Sequence, residues 1–285
     1  MRPILLALAL CGACFADIPC VVNEVAGTYA FLANGSVLVP GAPISGPFMR
    51  IGYFTADGKG GLHFSTLALY NGINFGVENF SGTYTVNSDC SFSTHVAVPQ
   101  PVNSGADFKG QIALGGTDVT FMLTNVDDPT KPAISTVVGF GKARSIFSCS
   151  NLTLLGAWRM EINGFNNLPP ATTPSPFRQV GRFTYDGHGG LLASFITSSN
   201  NGVISSDTGT GTYTVNSDCT FDLSYKIGAT PYGIRGSMIA FDNAFISLNM
   251  PGVNVPGVGL LTGAVATGTL AREPTFRLSD LFAPR

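Results

Sequence analysis

The chain has 285 residues, 45% of them hydrophobic and only 11% charged, with a formal net charge of −2. A core of useful size is within reach and wholesale disorder is not. The near-neutral balance leaves no basic stripe for nucleic acid and no polybasic tract for anionic lipid.

In chain order, the opening MRPILLALALCGACFA has one Arg at position 2, an apolar run over 4–10 and small residues before Asp17. It reads as a signal peptide cut after Ala16, and the run is too short to span a bilayer. Lipidation at Cys11 or Cys14 is the alternative, although neither follows a Leu-Ala-Gly type box. No later segment has the length and apolarity of a transmembrane helix. The expected location is outside the cell, at its surface or in a periplasm. Four cysteines follow the leader: Cys20, Cys90, Cys149 and Cys219. An even number in an oxidising compartment reads as disulfides.

Next come apolar, Gly-punctuated runs that read as strands near 27–33, 47–56, 61–70, 76–86, 91–98, 107–114, 119–125 and 134–143. GYFTADGKGGL at 52–62 is two strands around a Gly-rich hairpin turn. VNSDC at 86–90 is another turn, with Asn, Ser and Asp able to bond nearby backbone. Then the chain repeats itself. SGTYTVNSDCSF at 81–92 returns as TGTYTVNSDCTF at 210–221, differing only by two Ser/Thr exchanges. GYFTADGKGGL returns as GRFTYDGHGGL at 181–191, and Cys20 and Cys90 return as Cys149 and Cys219, all at an offset of 129. Beyond Cys90 the offset slips to 126, pairing Phe108-Lys109-Gly110 with Ile234-Arg235-Gly236.

The chain therefore reads as a duplicated domain rather than a solenoid: a leader at 1–16, β domains at 17–147 and 148–273, and a tail at 274–285. Four cysteines allow three pairings. The repeat favours Cys20–Cys90 and Cys149–Cys219, since each half carries its own equivalent pair. About eight short strands per half, joined locally, predict an all-β fold of two tandem antiparallel meander barrels, with β-sandwiches as the alternative. Phe54 and Phe183 match between the halves while their neighbours are Tyr53 and Arg182, so the Phe face should be the core. Gly27 and Gly156 precede the first strand of each half, where they would relieve crowding at a barrel corner.

The meander with its F-x-x-D-G-x-G-G hairpin and G-T-Y-T-V strand loosely resembles allene oxide cyclase and dirigent-type barrels, and lipocalin-like barrels more broadly. The resemblance is one of layout, and no functional motif carries across. It implies an eight-stranded barrel that binds an apolar ligand or steers a cyclisation without a cofactor.

The residues themselves offer little chemistry. No histidine is shared by the halves: His63, His95 and His188 fall opposite Leu192, Ser224 and Lys59. Asp57/Asp186 and Asp89/Asp218 are explained by turns, and D-G-x-G-G has too few oxygens for a calcium shell. Glu78/Asp207 is the remaining shared acid. It lies within a strand, either facing out as an edge gatekeeper or facing into the barrel as a proton donor or ligand anchor. These two are the candidate catalytic residues. No cofactor motif and no metal-ligand spacing is present: GVGLLTG at 257–263 lacks dinucleotide-loop spacing, and GFGKARS is not a P-loop. Trp158 and the Phe/Tyr set read as core rather than as a glycan platform. Three sequons, at Asn34, Asn79 and Asn151, matter only in a eukaryotic secretory path. The expected role is an exported binding or structural module, not an enzyme, whose partner is a small apolar molecule or a surface macromolecule. The alternative is a cofactor-free cyclase or isomerase.

Overall fold

The computed structural model describes residues 19–38, 44–99, 104–127, 136–166, 174–249, 253–255, 259–261 and 264–273. The leader and the tail lie outside them. Among the described residues are eighteen strands: β1 (Gly27–Val37), β2 (Gly46–Ala56), β3 (Gly61–Tyr70), β4 (Ile73–Val86), β5 (Ser91–Val98), β6 (Ser104–Ile112), β7 (Asp118–Val126), β8 (Thr136–Ala143), β9 (Gly156–Asn166), β10 (Ser175–Tyr185), β11 (Gly190–Asn200), β12 (Val203–Val215), β13 (Thr220–Ile227), β14 (Thr230–Ala240), β15 (Asn243–Asn249), β16 (Val253–Val255), β17 (Gly259–Leu261) and β18 (Ala264–Arg272).

Strands β1–β8 pair as an antiparallel meander that closes where β8 meets β1 and β5 meets β4. Strands β9–β15 and β18 form the second closed barrel. The small β16–β17 hairpin, inserted before β18, leaves its own barrel and meets β4 of the first, with Leu261 opposite Ile73. GVGLLTG falls partly on β17 and otherwise outside the described residues.

Each hairpin follows from its turn chemistry. Asp57 Oδ1 accepts the backbone N–H groups of Lys59 and Gly61, and Asp186 Oδ1 those of His188 and Gly190. Asp89 and Asp218 serve the NSDC turns in the same way, through Ser91 and Thr220. These bonds hold the carboxyls of Asp57, Asp186 and Asp89 below their usual range. The disulfides are Cys20–Cys90 and Cys149–Cys219. Gly27 and Gly156 open β1 and β9 at φ of 143° and 104°, with open space where a Cβ would stand. Backbone conformation, not crowding, is what calls for glycine there.

Period-2 alternation decides the faces. Phe54 and Phe183 point into their barrels, whereas Tyr53 and Arg182 point out. The first interior is built on rings, with Tyr29 stacked on Phe54 at 4.8 Å and Phe64 on Phe80 at 4.7 Å. Trp158 is fully buried in the second, its indole N–H donating to the Leu154 carbonyl. Outward positions carry charge, for example Arg159 and Glu161 on β9, both exposed. An apolar inside and a charged outside reverse the pattern of a lipid-embedded barrel. No helix among the described residues is long and apolar enough to cross a membrane.

The barrels touch through an apolar seam. Ala30, Met49 and Ile51 of the first, each fully buried, pack with Ile239, Phe245 and Val265 of the second. Arg144 lies beside it. Its guanidinium covers the Tyr53 ring at 4.7 Å and donates to the Asp218 carbonyl and the Ser237 hydroxyl, both at 2.6 Å. Burial pushes its pKa down to about 10.

Candidate functional site

Both barrels are sealed at the end that carries the disulfide. In the first, the 3-10 turn Val22–Val25 plugs the opening, and Tyr84 and Tyr29 donate their hydroxyls to the carbonyls of Val22 and Gly116. The space left there is about 20 Å³, lined by apolar side chains and Thr94. That is room for about one water molecule and far too little for a ligand. In the second, Tyr213 donates to the Asn151 carbonyl, and Asn151 Oδ1 accepts from Val215 N–H.

The opposite half of the first barrel differs. On β2, Arg50 alternates with Phe48 and Phe54 and so points inward, only 5% exposed. Its Nη1 donates to Thr66 Oγ1 and its Nη2 to the Tyr70 hydroxyl, both at 3.1 Å. Nη2 also lies 2.8 Å from Oε2 of Glu78, but misses hydrogen-bond alignment, so charge holds this pair. The guanidinium sits 4.8 Å over the Phe80 ring, which itself stacks on Phe64. Burial lifts the Glu78 carboxyl above its usual value, against the pull of Arg50. Burial likewise raises the Tyr70 phenol, with Arg50 opposing. Beside this cluster the half-buried Phe75 ring meets Tyr70 edge-on at 5.5 Å, and Ile44, Val98, Phe108 and Leu123 are further half-buried apolar groups packed against the core of the first barrel.

The second barrel keeps the positions but buries no charge at them. Gln179 is the counterpart of Arg50 at the 129 offset and is 1% exposed. Its amide N–H donates to Ser198 Oγ at 2.9 Å, and its oxygen accepts from the Tyr225 hydroxyl at 3.2 Å. Asp207, the counterpart of Glu78, sits opposite Ile196 in the sheet but is exposed.

Of the two candidate acids, then, Glu78 lies inside a barrel against a buried cation and Asp207 lies in solvent. The pattern reading overlooked Arg50 and Gln179. Stepping by twos back from Phe54 and Phe183 finds both on the core face. Glu78 is harder to place, because a bulge at Leu67/Leu69 shifts the β3–β4 register just before it.

Of the histidines, His63 bonds Ser81 on the outer face, and His188 stays in its turn. His95 is different. Its Nδ1 is 2.8 Å from Asp107 Oδ1 and its Nε2 3.8 Å from Asp127 Oδ2. Asn125 braces Asp107 from the far side. The hydrogen bond to Asp107, with the charge of Asp127, raises the imidazole pKa above 6.5. The three groups lie close enough to ligate a cation, and they were not apparent in the sequence. With carboxylates facing both ring nitrogens, the arrangement suits a protonated imidazole better than a metal ligand.

No family model and no curated protein matches the chain. Among solved structures, it is similar to a protein of unknown function from the DUF3598 family of Nostoc punctiforme, at 10% identity and TM-score 0.26 over 88% of this chain and 97% of that one. It is also similar to isotype 1 transferrin binding protein B of Neisseria meningitidis, at 9% identity and TM-score 0.28 over 87% and 76%. A putative AttH of Nitrosomonas europaea gives 7% identity and TM-score 0.29 over 86% and 92%. Likenesses this distant bear on neither ligand nor activity. The chain has a pair of all-β barrels, each with a disulfide, and among the described residues the buried ion pair lies in the first.

Proposed function

We propose that the chain is an exported, non-catalytic binding protein, and that the end of its first barrel opposite the disulfide takes a small, largely apolar molecule. Export is supported by the leader-like first 16 residues and by two disulfides, which persist in oxidising compartments. One observation carries the binding reading: at matched interior positions, one barrel holds Arg50 and Glu78 and the other holds neutral Gln179. Burying two charges costs several kcal/mol each, and pairing often fails to repay it. The second barrel closes without such a pair, so the fold does not require it. Phe80 under the guanidinium and half-buried Phe75 against Tyr70 provide the apolar wall that a ligand site needs.

The test is titration of the oxidised chain 17–285 with the apolar fluorophore N-phenyl-1-naphthylamine. Saturable uptake is expected, weakened about tenfold or more in Phe75→Asp, which sets a carboxylate in the wall. Absence of saturable uptake refutes the reading, and equal uptake by Phe75→Asp refutes the location.

A further inference from the structure

We propose that the ligand of the first barrel is a single-chain amphiphile with one anionic group, a carboxylate or a group of its size, and that this group replaces Glu78 on Arg50. The inference rests on the binding reading above and adds the head-group chemistry.

Three observations lead to it. First, the donors converge. The Arg50 guanidinium and the hydroxyls of Thr66 and Tyr70 come from adjacent strands β2 and β3 and meet at one point. A planar guanidinium flanked by hydroxyls suits a carboxylate, because charge-assisted bonds are the strong ones and a low dielectric strengthens them.

Second, Glu78 already occupies that place but is poorly seated. Its contact with Nη2 is close in distance yet misaligned. Glu78 sits two residues beyond Gly76, which holds a positive φ of 77° at the β4 bulge, with open space where a Cβ would stand. Glu78 therefore serves as an internal stand-in for the ligand's anion. Two carboxylates cannot both stay ionised at one buried cation. When the ligand's arrives, Glu78 takes up a proton from solvent or turns outward. Its burial already favours the protonated form.

Third, the surroundings suit a hydrocarbon chain. Phe80 lies beneath the guanidinium, and half-buried Phe75 stands against Tyr70. The second barrel is an internal control: neutral Gln179 stands at the Arg50 position, and exposed Asp207 at the Glu78 position.

The experiment displaces bound N-phenyl-1-naphthylamine with decanoate, decanol and decylamine, a set matched in chain length. The proteins are wild type, Arg50→Gln and Glu78→Gln, all oxidised and checked by thermal melting. Arg50→Gln installs the residue that the second barrel carries at the matched position. In wild type, decanoate should displace the probe at a concentration about tenfold below that of decanol, one decade of affinity, with decylamine weakest. Glu78→Gln should strengthen decanoate severalfold by vacating Arg50. Arg50→Gln should abolish the preference, so that decanoate and decanol displace the probe at the same concentration in that variant.

Equal displacement by all three in wild type overturns the head-group inference while the apolar-binding reading stands. A probe that never enters overturns both. Retained decanoate preference in Arg50→Gln places the anion elsewhere and overturns the inference. If Arg50→Gln does not fold, Glu78→Gln decides alone: stronger decanoate binding supports the inference, and unchanged or weaker binding overturns it.

Discussion

Two side chains illustrate how local context decides chemistry. His95 and His63 both stand on the outer face of the first barrel, yet only His95 has carboxylates at both ring nitrogens. Its pKa is raised, first by the hydrogen bond to Asp107, and that of Asp107 is lowered, first by the bond to His95. The signs follow from linkage. The His95 contribution to stability is fully present below the unfolded-state imidazole pKa and fades as pH rises through the folded value. The Asp107 contribution is present above the unfolded-state carboxyl pKa and is lost as pH falls through its lower folded value. Both operate together in the mildly acidic window between. The groups are largely exposed, so the effect on stability is small. Proton NMR titration should place His95 above 6.5, and Asp107→Asn should lower it. An unchanged value in the variant would show that the pair does not form in solution.

At the scale of elements, the slip from 129 to 126 in the repeat has a structural meaning. In each barrel a Phe at the start of one strand sits directly across from a Gly of the next: Phe92 opposite Gly110, and Phe221 opposite Gly236. The ring lies over the glycine. A Cβ at Gly236 would stand 2.1 Å from the Phe221 ring, and one at Gly110 2.6 Å from the Phe92 ring. The Phe–Gly pairs keep register although the intervening link is shorter in the second half, where β14 begins three residues after β13 ends. Gly236→Ala should therefore destabilise the second barrel by about 1–3 kcal/mol, as overpacking does. Denaturant unfolding measures this, and a neutral result would mean that the ring swings aside freely.

At the scale of the whole molecule, two similar barrels have become one body. The linker residue Ile146 is 2% exposed and belongs to the core of the second barrel. Ser145 N–H donates to the Ile239 carbonyl, and Asn34 of the first barrel reaches Thr267 of the second. Residues 149–273 expressed alone would lose Ile146 and Arg144 and would uncover Ile239, Phe245 and Val265. The half molecule should keep its Cys149–Cys219 bridge, self-associate where the full chain stays monodisperse because its seam is uncovered, and unfold at lower denaturant. Extending the piece back to Arg144 should restore part of the loss. Equal stability of the half and the full chain would show that the seam contributes nothing.

The sequence alone determined what depends on neighbours along the chain. Turns announced themselves through Asp57 with its glycines and through Asp89 with Asn87 and Ser88, because a carboxylate two to four residues from backbone N–H groups closes the same loop in any context. Core faces at Phe54 and Phe183 followed from period-2 alternation, and the duplication pointed to one disulfide per half. Tertiary structure alone decided what depends on register and on contacts between distant strands. Arg50 and Glu78 meet because β2, β3 and β4 pair around a bulge, and a one-residue shift turns a side chain to the other face. The β16–β17 hairpin of the second half leaves its own barrel for β4 of the first. Met49 and Ile51, outward-facing residues that alternation would assign to solvent, became the seam between the barrels. Local rules place a side chain on a face, but what that face meets depends on how the whole chain packs.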